Sequence, residues 1–125
     1  QITPVIHPED ILKARKAVSK IYMDERIEKY ILNLVFATRN PELFKLKEIQ
    51  LLINYGASPR ASIFLAQAAK ANAFINHRGF VIPEDVTSIV KDIFRHRIGL
   101  SYEAEAENIT QDQIISTILS KVEVP

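Results

Sequence analysis

The stretch from residue 56 to residue 80, GASPRASIFLAQAAKANAFINHRGF, constrains the fold more than any other part of the chain. Ser58 is a suitable N-cap, because its hydroxyl can accept from free backbone N–H groups one turn ahead. Pro59 then takes the first helical position, where a missing donor costs nothing. Gly79 is the predicted stop. Since apolar side chains cover most of the circumference, we predict a central helix of about 21 residues with other helices packed on several sides.

Composition limits the classes of protein that this sequence can represent. The 125 residues, 47% of them apolar, can form one domain with a real core. Sixteen basic and fifteen acidic residues nearly balance, which argues against a nucleic-acid partner held by phosphate neutralisation. The absence of cysteine is compatible with a reducing compartment, and we expect a cytoplasmic location. No apolar run approaches the roughly 20 residues of a membrane helix. Because the sequence begins at Gln1, we expect a fragment of a longer protein.

Helical periodicity and start signals predict further helices on both sides of the central one. The predicted helices cover residues 8–20, 24–39 with Asp24 as N-cap, 83–97, and 110–122 with a Thr110/Gln113 capping box. Gly99 is expected to end the third of these.

The remaining segments give weaker signals. Residues 41–57 contain a short apolar run that periodicity cannot assign, and we predict that this region is mostly extended. Residues 80–82 are predicted to form a brief strand, and the acidic run 100–107 a solvated segment. The sequence therefore predicts an all-α fold, a small helical bundle of about five helices around a central apolar helix, with room for one very short strand pair.

The search for catalytic and metal-binding patterns is mostly negative. The three glycines include none in a GxxxxGK[ST] loop, so this chain is not expected to hydrolyse ATP on its own. His7, His77 and His96 lie on different segments with no i, i+4 pair, and we predict no metal site. The paired acids fall at predicted helix starts, where the helix dipole favours them.

Arg60 does not follow that pattern. A cation in the first turn of a helix is disfavoured by about 0.3 to 1 kcal/mol, because the free N–H groups there already carry positive charge. An anion that visits the helix start would explain the position, since a forked guanidinium suits phosphate. The alternative is a surface arginine paired with a carboxylate elsewhere in the fold. Position alone leaves both interpretations open.

Several blocks in order resemble one known family. The blocks are GASPRA at 56–61, GFVIPEDV at 79–86, the pair His96-Arg97 and LSYEAEAE at 100–107. Together with YILNLVFATR at 30–39, they resemble the C-terminal lid domain of MoxR-type AAA+ ATPases over nearly the whole chain.

The resemblance implies a role for the start of the central helix. Arg60 matches the sensor 2 arginine, which reaches the terminal phosphate of ATP, and Ser58 and Pro59 match the cap before it. Residues 1–125 would be a single helical lid domain, with the large α/β nucleotide-binding subdomain upstream of Gln1. The parent would be an ATPase that binds ATP with Mg²⁺, whereas this domain alone would not be an enzyme and would hold no tightly bound cofactor.

The resemblance also implies partners. It implies a homo-oligomeric ring, expected to be a hexamer, acting as a chaperone that matures or inserts cofactors into partner complexes, including proteins with von Willebrand A domains. Arg39, His96 and Arg97 are candidate interface residues, although helix dipoles alone explain cations near helix ends. The alternatives are a stand-alone helical protein-interaction module and a helical nucleic-acid-binding domain.

Overall fold

Eight α-helices and one two-stranded sheet make up the computed structural model, which describes residues 2–125. The helices are α1 Pro8–Ser19, α2 Glu25–Arg39, α3 Lys47–Gln50, α4 Arg60–Ile75, α5 Pro83–Thr87, α6 Val90–Phe94, α7 Tyr102–Ala106 and α8 Gln111–Lys121. The antiparallel strands are β1 Ile53–Tyr55 and β2 Gly99–Leu100, and a 3₁₀ turn covers Pro41–Phe44. The predicted helical bundle with one very short strand pair is confirmed.

Helices α2 and α8 begin and pack as their sequence patterns predict. The Asp24 carboxylate accepts from the Arg26 N–H at 2.8 Å, which caps α2. In the capping box of α8, Thr110 Oγ1 accepts from the Gln113 N–H at 3.2 Å and Gln113 Oε1 accepts from the Thr110 N–H at 2.8 Å. The predicted apolar face of α2 is buried in the core; it consists of Ile27, Tyr30, Ile31, Leu34 and Val35.

Helix α4 is central, but it is shorter and less enclosed than predicted. It has 16 residues, and α1, α2, α5 and α6 all contact it. Its fully buried face repeats every four residues and consists of Ala61, Leu65, Ala69 and Ala73. The predicted packing of other helices on several sides is therefore confirmed, although Ile63 is 56% exposed and Ile75 is 71% exposed. The small alanines let neighbouring helices approach this face closely, and partly buried Ala66 also packs against the core.

The start of α4 differs from the predicted hydroxyl cap. The Ser58 carbonyl, not its hydroxyl, accepts from the Ala61 N–H at 2.9 Å, and the Pro59 carbonyl accepts from the Ser62 N–H at 3.1 Å. Pro59 lies just before the helix with helical dihedrals, φ −55° and ψ −27°. These i to i+3 bonds tighten the first turn and occupy the N–H groups that a serine cap would have served.

The end of α4 is set by His77 rather than by Gly79. His77 has a left-handed backbone with φ 59°. Its N–H donates to the Phe74 carbonyl at 3.0 Å, and the Arg78 N–H donates to the Ala73 carbonyl at 2.9 Å. This is a Schellman motif with histidine at the position where glycine is usual. The helix therefore stops before the glycine that the sequence made the obvious candidate.

Replacing His77 by glycine should stabilise the chain by about 1 kcal/mol, because a side chain in the left-handed region is strained and glycine is not. Chemical denaturation of the 125-residue chain would measure this gain. His96→Gly is the matched control, since His96 is also exposed but its φ is not positive. Loss of stability in the His77→Gly variant would contradict the strain argument.

The structure differs from the sequence predictions in three other segments. Residues 41–57 are mostly helical turns, because a left-handed Lys45 separates the 3₁₀ turn from α3 and leaves only β1 extended. The predicted helix 83–97 is split into α5 and α6, since the Ile89 N–H bonds at 3.2 Å to the Val86 carbonyl, three residues back instead of four. Gly99 ends no helix and lies in β2.

The predictions for residues 80–82 and for residues 100–107 agree with the structure in part. Phe80 forms an isolated parallel bridge with Tyr22 and no longer strand. The acidic run 100–107 contains α7, capped by the Ser101 hydroxyl, which accepts from the Ala104 N–H at 3.2 Å. Glu103, Glu105 and Glu107 are all exposed to solvent, as predicted.

An ion pair ties the end of α4 to the start of α5. Asp85 is fully buried, and its carboxylate accepts from Arg78 Nη1 at 2.5 Å and Nη2 at 2.6 Å. The Asn72 side chain and the Ile82 N–H each donate to the same carboxylate at 2.8 Å. Because four donors surround one buried carboxylate, Asp85 is the polar anchor of this part of the core.

Within residues 2–125, no helix is both long enough and apolar enough to cross a membrane.

Candidate functional site

The loop that leads into α4 is held against the last turn of α2. The Ala57 N–H donates to Thr38 Oγ1 at 2.9 Å, and the Ala57 carbonyl accepts from Arg39 Nη1 at 3.3 Å. Ala57 is fully buried. Gly56 lies so close to α2 that a Cβ there would overlap the Thr38 carbonyl and the Arg39 backbone nitrogen. The position of the helix start is therefore fixed by α2.

Arg60 is the first residue of α4, and it is exposed. Its side chain makes no hydrogen bond or ion pair with any of residues 2–125, and the first turn of α4 has no acidic residue. By contrast, Arg26, Arg78 and Arg95 each pair with a carboxylate. Among residues 2–125, Arg60 therefore lacks the carboxylate partner that the interpretation as a paired surface arginine requires.

Two more arginines lie beside this helix start. Arg39 contacts Ala57, three residues before Arg60. The guanidinium carbon of Arg97 lies 4.8 Å from the centroid of the Phe64 ring, and Phe64 is one turn beyond Arg60 on the same side of α4. Neither forms an ion pair in the part of the chain that the structure describes. Arg39 thus contacts the loop just before α4, and Arg97 contacts a residue one turn beyond Arg60.

All three arginines were candidates from the sequence, but their neighbourhood at the start of α4 was not predicted. Arg97 Nη1 also donates to the Ile93 carbonyl at 2.9 Å, which holds the side chain beside α4. Ser58 and Pro59 are exposed next to Arg60, as a cap would be, although the Ser58 hydroxyl does not cap the helix. His96 is exposed, and no side-chain hydrogen bond among the described residues ties it to this site.

The arrangement is suited to an anion with several charges. The helix dipole and three guanidinium groups all contribute positive charge, and no carboxylate neutralises them within residues 2–125. The Ala61 and Ser62 N–H groups are already bonded, so side chains would make most of the contacts. No group of three or more His, Asp or Glu side chains among the described residues could hold a metal ion.

Comparisons with known proteins identify the family of the chain. The family model described as the AAA lid domain matches residues 46–118. Chaperone MoxR1 of Mycobacterium tuberculosis is 32% identical over 125 residues, which is 100% of this chain and 33% of that protein. Protein MoxR of Methylorubrum extorquens is 30% identical over 84% of this chain and 32% of its own length.

A solved structure extends the likeness to three dimensions. The crystal structure of a "putative ATPase" from Cytophaga hutchinsonii superposes with a TM-score of 0.91 at 50% identity, over 94% of this chain and 36% of that one. The chain spans about a third of the length of the curated relatives that it matches. With the helical bundle and the family match together, the chain belongs to the AAA lid domain family, as a lid domain of the MoxR type.

Proposed function

We propose that this chain is the sensor 2 lid of a MoxR-type AAA+ ATPase and that Arg60 contacts the terminal phosphate of bound ATP. The observation that carries the proposal is the exposed guanidinium at the positive end of α4 with no carboxylate partner among residues 2–125. An uncompensated cation at that position is unfavourable in the lid alone, and a phosphate would reverse the sign of the interaction.

Electrostatics gives the proposed contact its function. A guanidinium at the γ-phosphate stabilises the charge of the transferring phosphoryl group, and the contact is lost once that phosphate leaves. Loss of the contact frees the lid to rotate against its neighbour. Because the loop before Arg60 is fixed to α2, a force on the guanidinium would move the bundle and not only the side chain.

The proposal for the rest of the parent protein is supported by the lengths of the relatives. Residues 1–125 would form one lid domain, and the other two thirds of a MoxR-sized protein would supply the α/β subdomain with its phosphate loop and Mg²⁺ ligands. The parent would be the ATPase and the lid alone would not. MoxR1 is described as a chaperone. We extend that role here to a cytoplasmic hexameric ring that matures or inserts cofactors into partner complexes, with von Willebrand A-domain proteins among its partners.

Arg39 and Arg97 have two candidate roles at the same place. Each guanidinium group donates one hydrogen bond to a backbone carbonyl, Arg39 to Ala57 and Arg97 to Ile93, and has further donors free for a partner. We propose that they contact either the nucleotide or a neighbouring subunit of the ring. His96 would belong only to the subunit interface, because it is exposed and none of the side-chain hydrogen bonds among residues 2–125 joins it to the start of α4.

Nucleotide binding to the full-length protein tests the role of Arg60. Wild-type protein should prefer ATP over ADP, and Arg60→Ala should lose most of that preference because it removes the γ-phosphate contact alone. A loss of about tenfold in ATP affinity with ADP affinity unchanged is expected for one charge-assisted contact. Equilibrium titration with fluorescent nucleotide analogues would measure both. An equal loss for ATP and ADP would refute a contact specific to the terminal phosphate.

A further inference from the structure

We propose that Thr38 and Gly56 form a clamp that positions Arg60 for the nucleotide. This inference rests on the proposed sensor function of Arg60, which Thr38 and Gly56 would serve without touching the nucleotide themselves. The clamp joins the last turn of α2 to the loop that precedes α4, and its two halves are a side-chain hydrogen bond and a close approach of two backbones.

Thr38 supplies the hydrogen bond. Its side chain is buried, with 1% of its surface exposed. The hydroxyl donates to the Val35 carbonyl at 2.6 Å and accepts from the Ala57 N–H at 2.9 Å. Because the bond to Val35 fixes the direction of the hydroxyl proton, the oxygen lone pairs are left facing the loop. A buried threonine late in α2 thus serves as an acceptor aimed at one particular backbone amide.

Gly56 supplies the close approach. A Cβ at residue 56 would overlap the Thr38 carbonyl and the Arg39 backbone nitrogen, so only glycine lets the loop lie this close to α2. Arg39 completes the contact from the outside, since its Nη1 donates to the Ala57 carbonyl at 3.3 Å. Both backbone polar groups of Ala57 are therefore bonded to α2, which restrains the position of this residue.

The clamp reaches Arg60 through a short and stiff connection. Only Ser58 and Pro59 separate Ala57 from Arg60, and the proline ring holds its φ at −55°. The Ser58 carbonyl already bonds to the Ala61 N–H inside the first turn of α4. A displacement at Ala57 would therefore pass to the start of α4 and move the guanidinium relative to the phosphate.

Thr38→Val tests the clamp, because valine keeps the shape of threonine and removes the acceptor. In the full-length protein this variant should lower kcat for ATP hydrolysis about tenfold, since small displacements of a positioned group reduce rates by that order or more. Thr38→Ser retains the hydroxyl and should restore turnover to near the wild-type value. A serine variant as slow as the valine variant would overturn the clamp.

A double-mutant cycle separates positioning from a general loss of structure. If Thr38 acts through Arg60, Thr38→Val should change kcat by less than about twofold in an Arg60→Ala background. An unchanged tenfold effect in that background would overturn the clamp and leave the sensor function standing. Should Arg60→Ala itself leave turnover intact, both the sensor function and the clamp would be refuted.

Two further variants serve as a control for lower stability and as a substitute for Thr38→Val. Ile118→Val removes a buried methyl group from α8 without altering a hydrogen bond of the loop, and it should leave kcat unchanged. A tenfold loss in this control would show that lower stability alone explains the valine result and would overturn the clamp. If Thr38→Val does not fold, Gly56→Ala takes its place in the cycle, since it pushes the loop from the other side.

Discussion

Replacing Arg60 by alanine should lower ATP turnover of the full-length protein about a hundredfold, the order expected when one donor to the transition-state charge is lost. Because the side chain is exposed and makes no hydrogen bond or ion pair within residues 2–125, the thermal unfolding of the 125-residue chain should hardly change. Steady-state hydrolysis assays and calorimetry would measure the two quantities. The combination of a large effect on turnover and a small one on stability identifies a functional arginine.

Two companion variants make the Arg60 result specific. Arg15→Ala removes another exposed arginine without an ion pair in the described part of the chain, and turnover should remain at the wild-type value. Arg60→Lys keeps the charge but loses the forked donors, so its turnover should lie between those of the wild type and Arg60→Ala. Wild-type turnover in Arg60→Ala, or unfolding of that variant, would show that Arg60 is structural.

The parts of the fold that the sequence predicts well are those whose signals are local. Helix α2 combines a capping aspartate at residue 24 with an unbroken i, i+3, i+4 pattern, and α8 has the reciprocal Thr110/Gln113 box. In both helices the residues that start the helix lie within three positions of one another. Local propensity and burial agree there, so no distant contact is needed to decide the structure.

The wrong boundaries lie where tertiary contacts override local signals. Ser58 is a good N-cap by sequence, but the loop that contains it is bonded through Ala57 to α2 and enters the helix through i to i+3 bonds. His77 takes the left-handed position that Gly79 could have taken, since its own N–H bonds to the Phe74 carbonyl and the Arg78 N–H bonds to the Ala73 carbonyl. Glycine is the preferred residue at the left-handed position that ends a helix, and only the structure shows which residue occupies that position here.

The candidate site could be predicted in part. Arg60 stood out because a cation at a helix start opposes the dipole, and the family resemblance supplied a reason for it. Its lack of a carboxylate partner required the structure. The contacts that bring Arg39 to Ala57 and Arg97 to Phe64 join residues 18 or more positions apart, so periodicity contains no information about them.

Replacing Asp85 by asparagine should lower the free energy of unfolding by about 3 kcal/mol at neutral pH. The substitution leaves the Arg78 guanidinium without an anionic partner, and it places an NH₂ group where the carboxylate accepted hydrogen bonds. We expect the lower end of the usual range because the Arg78 side chain is 25% exposed. Denaturant unfolding of the chain would measure the loss. Asp112→Asn is the matched control, since its pair with Arg95 at 2.9 Å is partly exposed on both sides and should contribute far less, because solvent screens it.

The pH dependence of Asp85 supplies a second measurement. Burial acts to raise the pKa of the Asp85 carboxyl, but hydrogen bonds from Arg78, the Ile82 N–H and Asn72 outweigh it and leave that pKa below its ordinary value. A carboxyl with a lower pKa in the folded state stabilises the fold above its unfolded pKa and loses this contribution as the pH falls through the folded one. The difference between wild type and Asp85→Asn should therefore be complete at pH 7 and shrink below about pH 4. A difference that grew on acidification would mean that burial dominates and that the carboxyl is held neutral.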